Sequence, residues 1–164
     1  MEKRRFIQLA AGMFGMLVLP KFLVTRQTMA AEMIEKINHP EAEWKKTLAP
    51  EQYTVLRQEG TEAPFTSPLN AEKHSGTFVC AACGLPLFPS AFKYDSGTGW
   101  PSFYDVLPNH VVTKTDYKLV VPRTEYHCAR CGGHQGHVFQ DGPAPTGLRY
   151  CNNGVALKFI PDKS

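Results

Sequence analysis

The sequence predicts a mainly β fold, built of antiparallel sheets behind a short N-terminal helical arm. Two observations carry this expectation. After residue 60 glycine and proline recur so often that only pieces of strand length fit between them. No strand–helix–strand alternation appears, which argues against a doubly wound parallel sheet. The chain has 164 residues, enough for one domain with extensions and for a core that does not depend on disulfides.

Residues 1–31 read as a signal or anchor leader. Lys3-Arg4-Arg5 precedes Phe6-Ile7, an uncharged apolar run extends from Leu9 to Leu19, and Ala30 and Ala31 supply small residues near the end. The run is short for a membrane span. The paired basic residues resemble a twin-arginine export signal, so the periplasm or cell envelope is the expected location, with the cytoplasm as the alternative. Membrane contact is expected only through this segment if it is not cut; an amphipathic surface helix is the plainer reading. Lys3, Arg4, Arg5, Lys21 and Arg26 outweigh Glu2 by more than the whole chain's net +3, so the remainder is slightly acidic. Its folded part shows no basic excess of the kind a nucleic-acid partner requires.

Residues 32–60 form the arm. A short helix, or the leader's tail, is expected over Ala30–Asn38. Glu41–Leu48 carries Trp44 and Leu48 at helical spacing. Pro50 opens a second helix at its first position, with Tyr53, Val55 and Leu56 for packing, and Gly60 ends it. The stretch Thr61–Asn70 reads as extended. In the domain over 61–164 the candidate strands are Gly76–Cys80, His110–Thr115, Lys118–Arg123, Gly136–Gln140, Leu148–Asn152 and Val155–Ile160. Asp116-Tyr117 is the expected turn of a hairpin.

Five cysteines carry the chemistry. Cys80 and Cys83 lie in Phe78-Val79-Cys80-Ala81-Ala82-Cys83-Gly84; Cys128 and Cys131 lie in Tyr126-His127-Cys128-Ala129-Arg130-Cys131-Gly132. Two C-x-x-C-G turns can direct four thiolates at one point, the tetrahedral arrangement that a structural Zn²⁺ takes. Two local disulfides or two redox dithiols are the alternatives, although a thioredoxin-type dithiol expects a βαβ setting that is missing.

Cys151 is left over. A single cysteine is most often a small buried hydrophobe. Here Arg149 is two positions away, on the strand face that Cys151 and Asn153 share, and a guanidinium lowers a thiol's pKa. His134 and His137 follow the second C-x-x-C turn and can approach Cys151 in the fold.

Together, Gly99-Trp100-Pro101-Ser102-Phe103, Gly136-His137-Val138-Phe139 and Arg149-Tyr150-Cys151-x-Asn153 resemble the signature of B-type methionine sulfoxide reductases. The likeness runs from Glu43-Trp44 through Phe159 and includes Thr61-Glu62-x-Pro64-Phe65 and Lys93-Tyr94-Asp95-Ser96-Gly97. It implies two antiparallel sheets in a distorted, barrel-like arrangement, with the active site on the second. It implies methionine-R-sulfoxide in oxidised proteins or peptides as substrate, and Cys151 as nucleophile among His134, His137, Arg149 and Asn153. Trp100, Phe103 and Phe139 are the expected substrate contacts, and the paired cysteines match the zinc-binding subset. Many relatives carry a resolving cysteine where this chain has Thr98.

In the implied reaction Cys151 attacks the sulfoxide sulfur and ends as a sulfenic acid. His137 is the expected acid, sharing the role with His134 through water, while Asn153 orients an imidazole or a water and Trp100 holds the methyl group. A thioredoxin-like protein is the implied reductant, and a monomer is expected. The competing functions are a non-catalytic zinc-ribbon module and a thiol–disulfide oxidoreductase that works through C-x-x-C.

Overall fold

The computed structural model describes residues 33–163. The expected leader, residues 1–31, lies outside them. Met33–Asn38 holds no helix, against the expectation for Ala30–Asn38. Ile37 donates its N–H to the Arg130 carbonyl at 2.8 Å instead of to its own chain, and Ile34 and Ile37 pack against the core. His39 precedes Pro40, which also disfavours helical geometry there.

Helix α1 (Glu41–Thr47) and helix α2 (Pro50–Gln58) form where expected. Acidic residues lie in the first turn of each and basic residues in the last, complementing the helix dipole. Trp44, Leu48, Val55 and Leu56 are buried in the same cluster as Phe78, Phe103 and Tyr126, so the arm and the sheets share one core.

Two antiparallel sheets follow. The first has the order β2-β1-β9, from β1 (Gly76–Cys80), β2 (Pro86–Pro89) and β9 (Leu157–Pro161). The second has the order β3-β4-β8-β7-β6-β5. Its strands are β3 (Lys93–Tyr94), β4 (Ser102–Phe103), β5 (Val111–Asp116), β6 (Arg123–Cys128), β7 (His134–Phe139) and β8 (Arg149–Asn152). Between them Phe88 stacks on Phe103 with centroids 4.1 Å apart, and Phe78 meets Phe103 edge-on at 5.0 Å.

The hairpin of β5 and β6 differs from expectation. Lys118–Arg123 is not a strand: Tyr117–Pro122 is the connection, and pairing resumes at Arg123 opposite Asp116. Pro122 has no N–H to give a ladder, and the Asp116 carboxylate takes the Lys118 N–H at 2.8 Å, which turns the chain out of the strand. Likewise Gly154–Ala156 is a 3-10 turn, so β9 begins only at Leu157.

Candidate functional site

The register of the second sheet builds the site. Cys151 on β8 lies opposite His137 on β7 and opposite Ser102 on β4; His137 in turn lies opposite Glu125 on β6, and Glu125 opposite Lys114 on β5. Partners opposite one another in an antiparallel ladder share a face. One row therefore crosses the sheet as Ser102, Cys151, His137, Glu125, Lys114.

The next row explains how the strands come so close. Gly136 lies between Asn152 and Tyr126, and a Cβ there would stand 2.0 Å from the Cys151 carbonyl oxygen. With no side chain in the way, the Tyr126 hydroxyl reaches across to Asn152 Oδ1 at 2.7 Å, on the core side of the sheet.

Above Cys151 is a cleft of about 110 Å³ lined by Thr61, Trp100, Arg123, Gly136, His137, Phe139, Cys151, Asn152 and Asn153. It brings together five of the residues expected from the sequence. A larger depression of about 630 Å³ lies between α2 and the Gly154–Leu157 segment, but no cysteine or histidine lines it.

Each side chain around the thiol has a specific hold. His137 Nε2 pairs with Asp116 Oδ2 at 2.9 Å, and Arg123 grips the same carboxylate oxygen at 2.5 Å. Burial pushes the His137 pKa down and Asp116 pulls it partly back. Burial raises the Cys151 pKa, while the Arg149 guanidinium and the Thr98 hydroxyl act against it. The net shift is therefore opposite to the one that Arg149 alone suggests. Arg149 is held by both Asp141 oxygens at 2.8 Å and covers the Phe139 ring at 4.3 Å, its register partner.

Trp100 donates its Nε1–H to the Glu62 carbonyl at 3.1 Å. The Glu62 N–H in turn binds Asn153 Oδ1 at 3.0 Å, and Asn153 Nδ2 donates to the Gln135 carbonyl. Asn153 thus fixes the cleft wall by main-chain contacts, and these bonds go to no imidazole. His134 is almost wholly buried beside His137, with ring centroids 5.5 Å apart, and burial lowers its pKa to about 4. Phe103 is fully buried in the aromatic stack and does not line the cleft, which removes it from the substrate contacts.

Asp116 and Glu62 were not legible as site residues. Asp116 looked like half of a turn, and Glu62 acts from far away in sequence. Its carboxylate accepts from the Gly154 and Val155 N–H groups at 2.5 and 2.9 Å.

A second centre lies apart from the cleft in kind. The thiols of Cys80, Cys83, Cys128 and Cys131 all lie within 4.8 Å of one another. Separations of 3.7 Å for Cys80–Cys131 and 3.5 Å for Cys83–Cys128 are far too long for disulfides. They fit the edge of a tetrahedron around an ion bound to sulfur at about 2.3 Å. Gly84 and Gly132, both at φ 70°, return N–H groups to the Cys80 and Cys128 carbonyls at 2.8 and 2.9 Å, closing two matching turns. Gln135 Nε2 donates to Cys80 Sγ at 3.4 Å.

Fold and site together define a β-sheet thiol enzyme class with a four-cysteine cluster that could hold a metal ion and one cysteine kept outside it. The model of the SelR domain matches residues 48–161. A peptide methionine sulfoxide reductase MsrB of Methanosarcina barkeri is 56% identical over 132 residues, covering 80% of this chain and 91% of its own. One from Leptospira interrogans is 55% identical, covering 76% and 95%. The chloroplastic peptide methionine sulfoxide reductase B1 of Arabidopsis thaliana is 52% identical, covering 78% and 64%. The chain belongs to the SelR-domain family, and with it to the peptide-methionine (R)-S-oxide reductases.

Proposed function

We propose that this chain reduces methionine-R-sulfoxide, chiefly in oxidised proteins and peptides, through Cys151. The observation that carries the reading is the direct pairing of Cys151 with His137 beneath the Trp100 wall. The oppositely shifted pKa values mean that neutral thiol and neutral imidazole dominate near pH 7. Moving one proton from Cys151 to His137 makes a nucleophile and an acid together. With Nε2–H donated to the Asp116 carboxylate, Nδ1 of His137 is the nitrogen that takes and gives this proton.

The thiolate attacks the sulfoxide sulfur, forming an S–S bond, and His137 protonates the sulfoxide oxygen. The hydroxyl then passes to the Cys151 sulfur as the substrate S–O bond and the S–S bond break, so methionine leaves and Cys151 is oxidised to sulfenic acid as the substrate is reduced. Trp100 holds the S-methyl group, a contact worth about 0.3–1.5 kcal/mol. Acid catalysis at His137 contributes about 10²–10⁴-fold. Two thiol equivalents from a thioredoxin-like protein restore Cys151 and release water.

Zn²⁺ is the ion proposed for Cys80, Cys83, Cys128 and Cys131, where it joins β1, β6 and their turns and supplies folding energy. Residues 1–31 are proposed to direct the chain to the cell envelope; fusing them to a folded reporter, with Lys3, Arg4 and Arg5 replaced in a control, tests this. The activity is tested with separate R and S epimers of a peptide sulfoxide and dithiothreitol. The R epimer should turn over and the S epimer should not, and Cys151→Ser should have no more than trace activity.

A further inference from the structure

Glu125, His127 and His134 form another cluster of metal-ligating side chains, distinct from the four thiols. The bulge of β6 at Tyr126/His127 sets His127 opposite His134 on β7, and Glu125 lies two residues before His127 on the same strand. Their ligand atoms all lie within 4.8 Å of one another.

Three ring nitrogens of this cluster have no hydrogen-bond partner among the described residues. His127 Nδ1 is 3.1 Å from the Gly132 carbonyl, which can only accept, so Nδ1 carries the hydrogen. Nε2 of the neutral ring is then a bare lone pair. It is buried, has no hydrogen-bond partner among the described residues, and faces Glu125 Oε1 at 3.5 Å. A lone pair beside a carboxylate oxygen is repulsive unless a proton or metal ion lies between them. His134, 1% exposed, leaves both ring nitrogens without a hydrogen bond, and its Nδ1 stands 3.2 Å from Glu125 Oε2.

Histidines that bind metals commonly donate the other ring N–H to a backbone carbonyl, as His127 does. Separations of 3.2 and 3.5 Å also match the edge, about 3.3 Å, of a tetrahedron around an ion bound at about 2.0–2.1 Å. Lys114 is the cation now on Glu125, at 2.8 Å from Oε1. It is more than half exposed and also pairs with Glu59 at 3.0 Å, so it keeps a partner if Glu125 turns to a metal.

We propose that Glu125, His127 and His134 bind one divalent transition-metal ion of the zinc class. Two imidazoles, one carboxylate and an open position suit Zn²⁺ or Co²⁺. An ion here fixes His134 against its neighbour His137 and takes it out of proton transfer. That consequence rests on the water-mediated share in proton transfer that the family resemblance implies for His134; the binding itself does not.

The test uses untagged Cys151→Ser protein already holding its thiolate-bound zinc, so that the nucleophile cannot ligate. Equilibrium dialysis against Zn²⁺ should add one further ion per chain. Co²⁺ added to the same protein should give visible bands without the near-ultraviolet absorption of cobalt thiolate. His127→Ala, and separately the isosteric Glu125→Gln, should weaken the further ion about tenfold or more, with the first ion and the circular dichroism unchanged. No further ion in the parent, cobalt bands of thiolate character, or equal affinity in both variants would overturn the proposal.

Discussion

At the scale of single residues, the site depends on two groups whose surroundings push them away from their reactive forms. Cys151 is raised and His137 lowered, both chiefly by burial. Asp116 is the lever on this pair, because its charge favours the imidazolium. Asp116→Asn removes that support, so the His137 pKa falls further and the thiolate–imidazolium pair becomes scarcer. Because the reactive pair holds one proton in all, the acid limb of the kcat/KM profile follows the lower, imidazole pKa and should move to lower pH, with kcat reduced about tenfold or more; steady-state rates across pH 5–9 measure it. Arg149→Ala acts on the other limb: without the guanidinium the thiol pKa rises further, so the alkaline limb should move to higher pH.

Cys151, its two histidines and Trp100 were legible because short motifs carried them. Asp116 was not, since its meeting with His137 depends on the pairing of β5, β6 and β7. Asn153 was legible as a site residue but not in its role. A side chain that ties together Glu62 and Gln135 cannot be recognised from its own neighbours in sequence.

Elements were legible in proportion to their length. Helices α1 and α2 and strand β1 follow from apolar spacing, Pro50 and the flanking glycines. The two-residue strands β3 and β4 have no period to read, yet β4 supplies Ser102 beside Cys151. β6 was displaced because the apolar run Leu119–Val121 looked more strand-like than Arg123–Cys128, whose polar Glu125 and His127 serve the buried cluster on the sheet. Strand β7 is sensitive to a small change. Gly136→Ala drives a methyl group into the Cys151 carbonyl and must part β7 from β8. Overpacking of this kind costs about 1–3 kcal/mol or more. Lower Tm and a loss of kcat far beyond the loss of stability should appear together in melting curves and turnover.

For the molecule as a whole, the four-thiol centre ties β1 and its turn to β6 and its turn, elements far apart in the chain. The duplicated C-x-x-C-G phrase predicted this centre from sequence. What it could not show was that the arm also closes over it: Arg57 of α2 donates to the Cys131 carbonyl at 3.0 Å, and Leu56 packs beneath Gly133. Cys80→Ser should release the ion and cost about 3 kcal/mol or more, a fall on the order of 10 °C in Tm. Metal analysis and calorimetry of the same sample check it.

In the proposed reaction Cys151 alone takes the oxygen. Thr98 stands beside it where a resolving thiol would be, and the other four thiols are gathered in one cluster. The most direct measurement is mass spectrometry of the digested protein after a single turnover of R-sulfoxide without reductant, with a sulfenic-acid trap present. One trapped oxygen on Cys151, no new disulfide, and one methionine formed per chain are expected. In Thr98→Cys the same treatment should instead yield a disulfide between the introduced thiol and Cys151. A substrate-induced disulfide from Cys151 to Cys80, Cys83, Cys128 or Cys131 in the parent, or methionine formed with Cys151 unmodified, would contradict it.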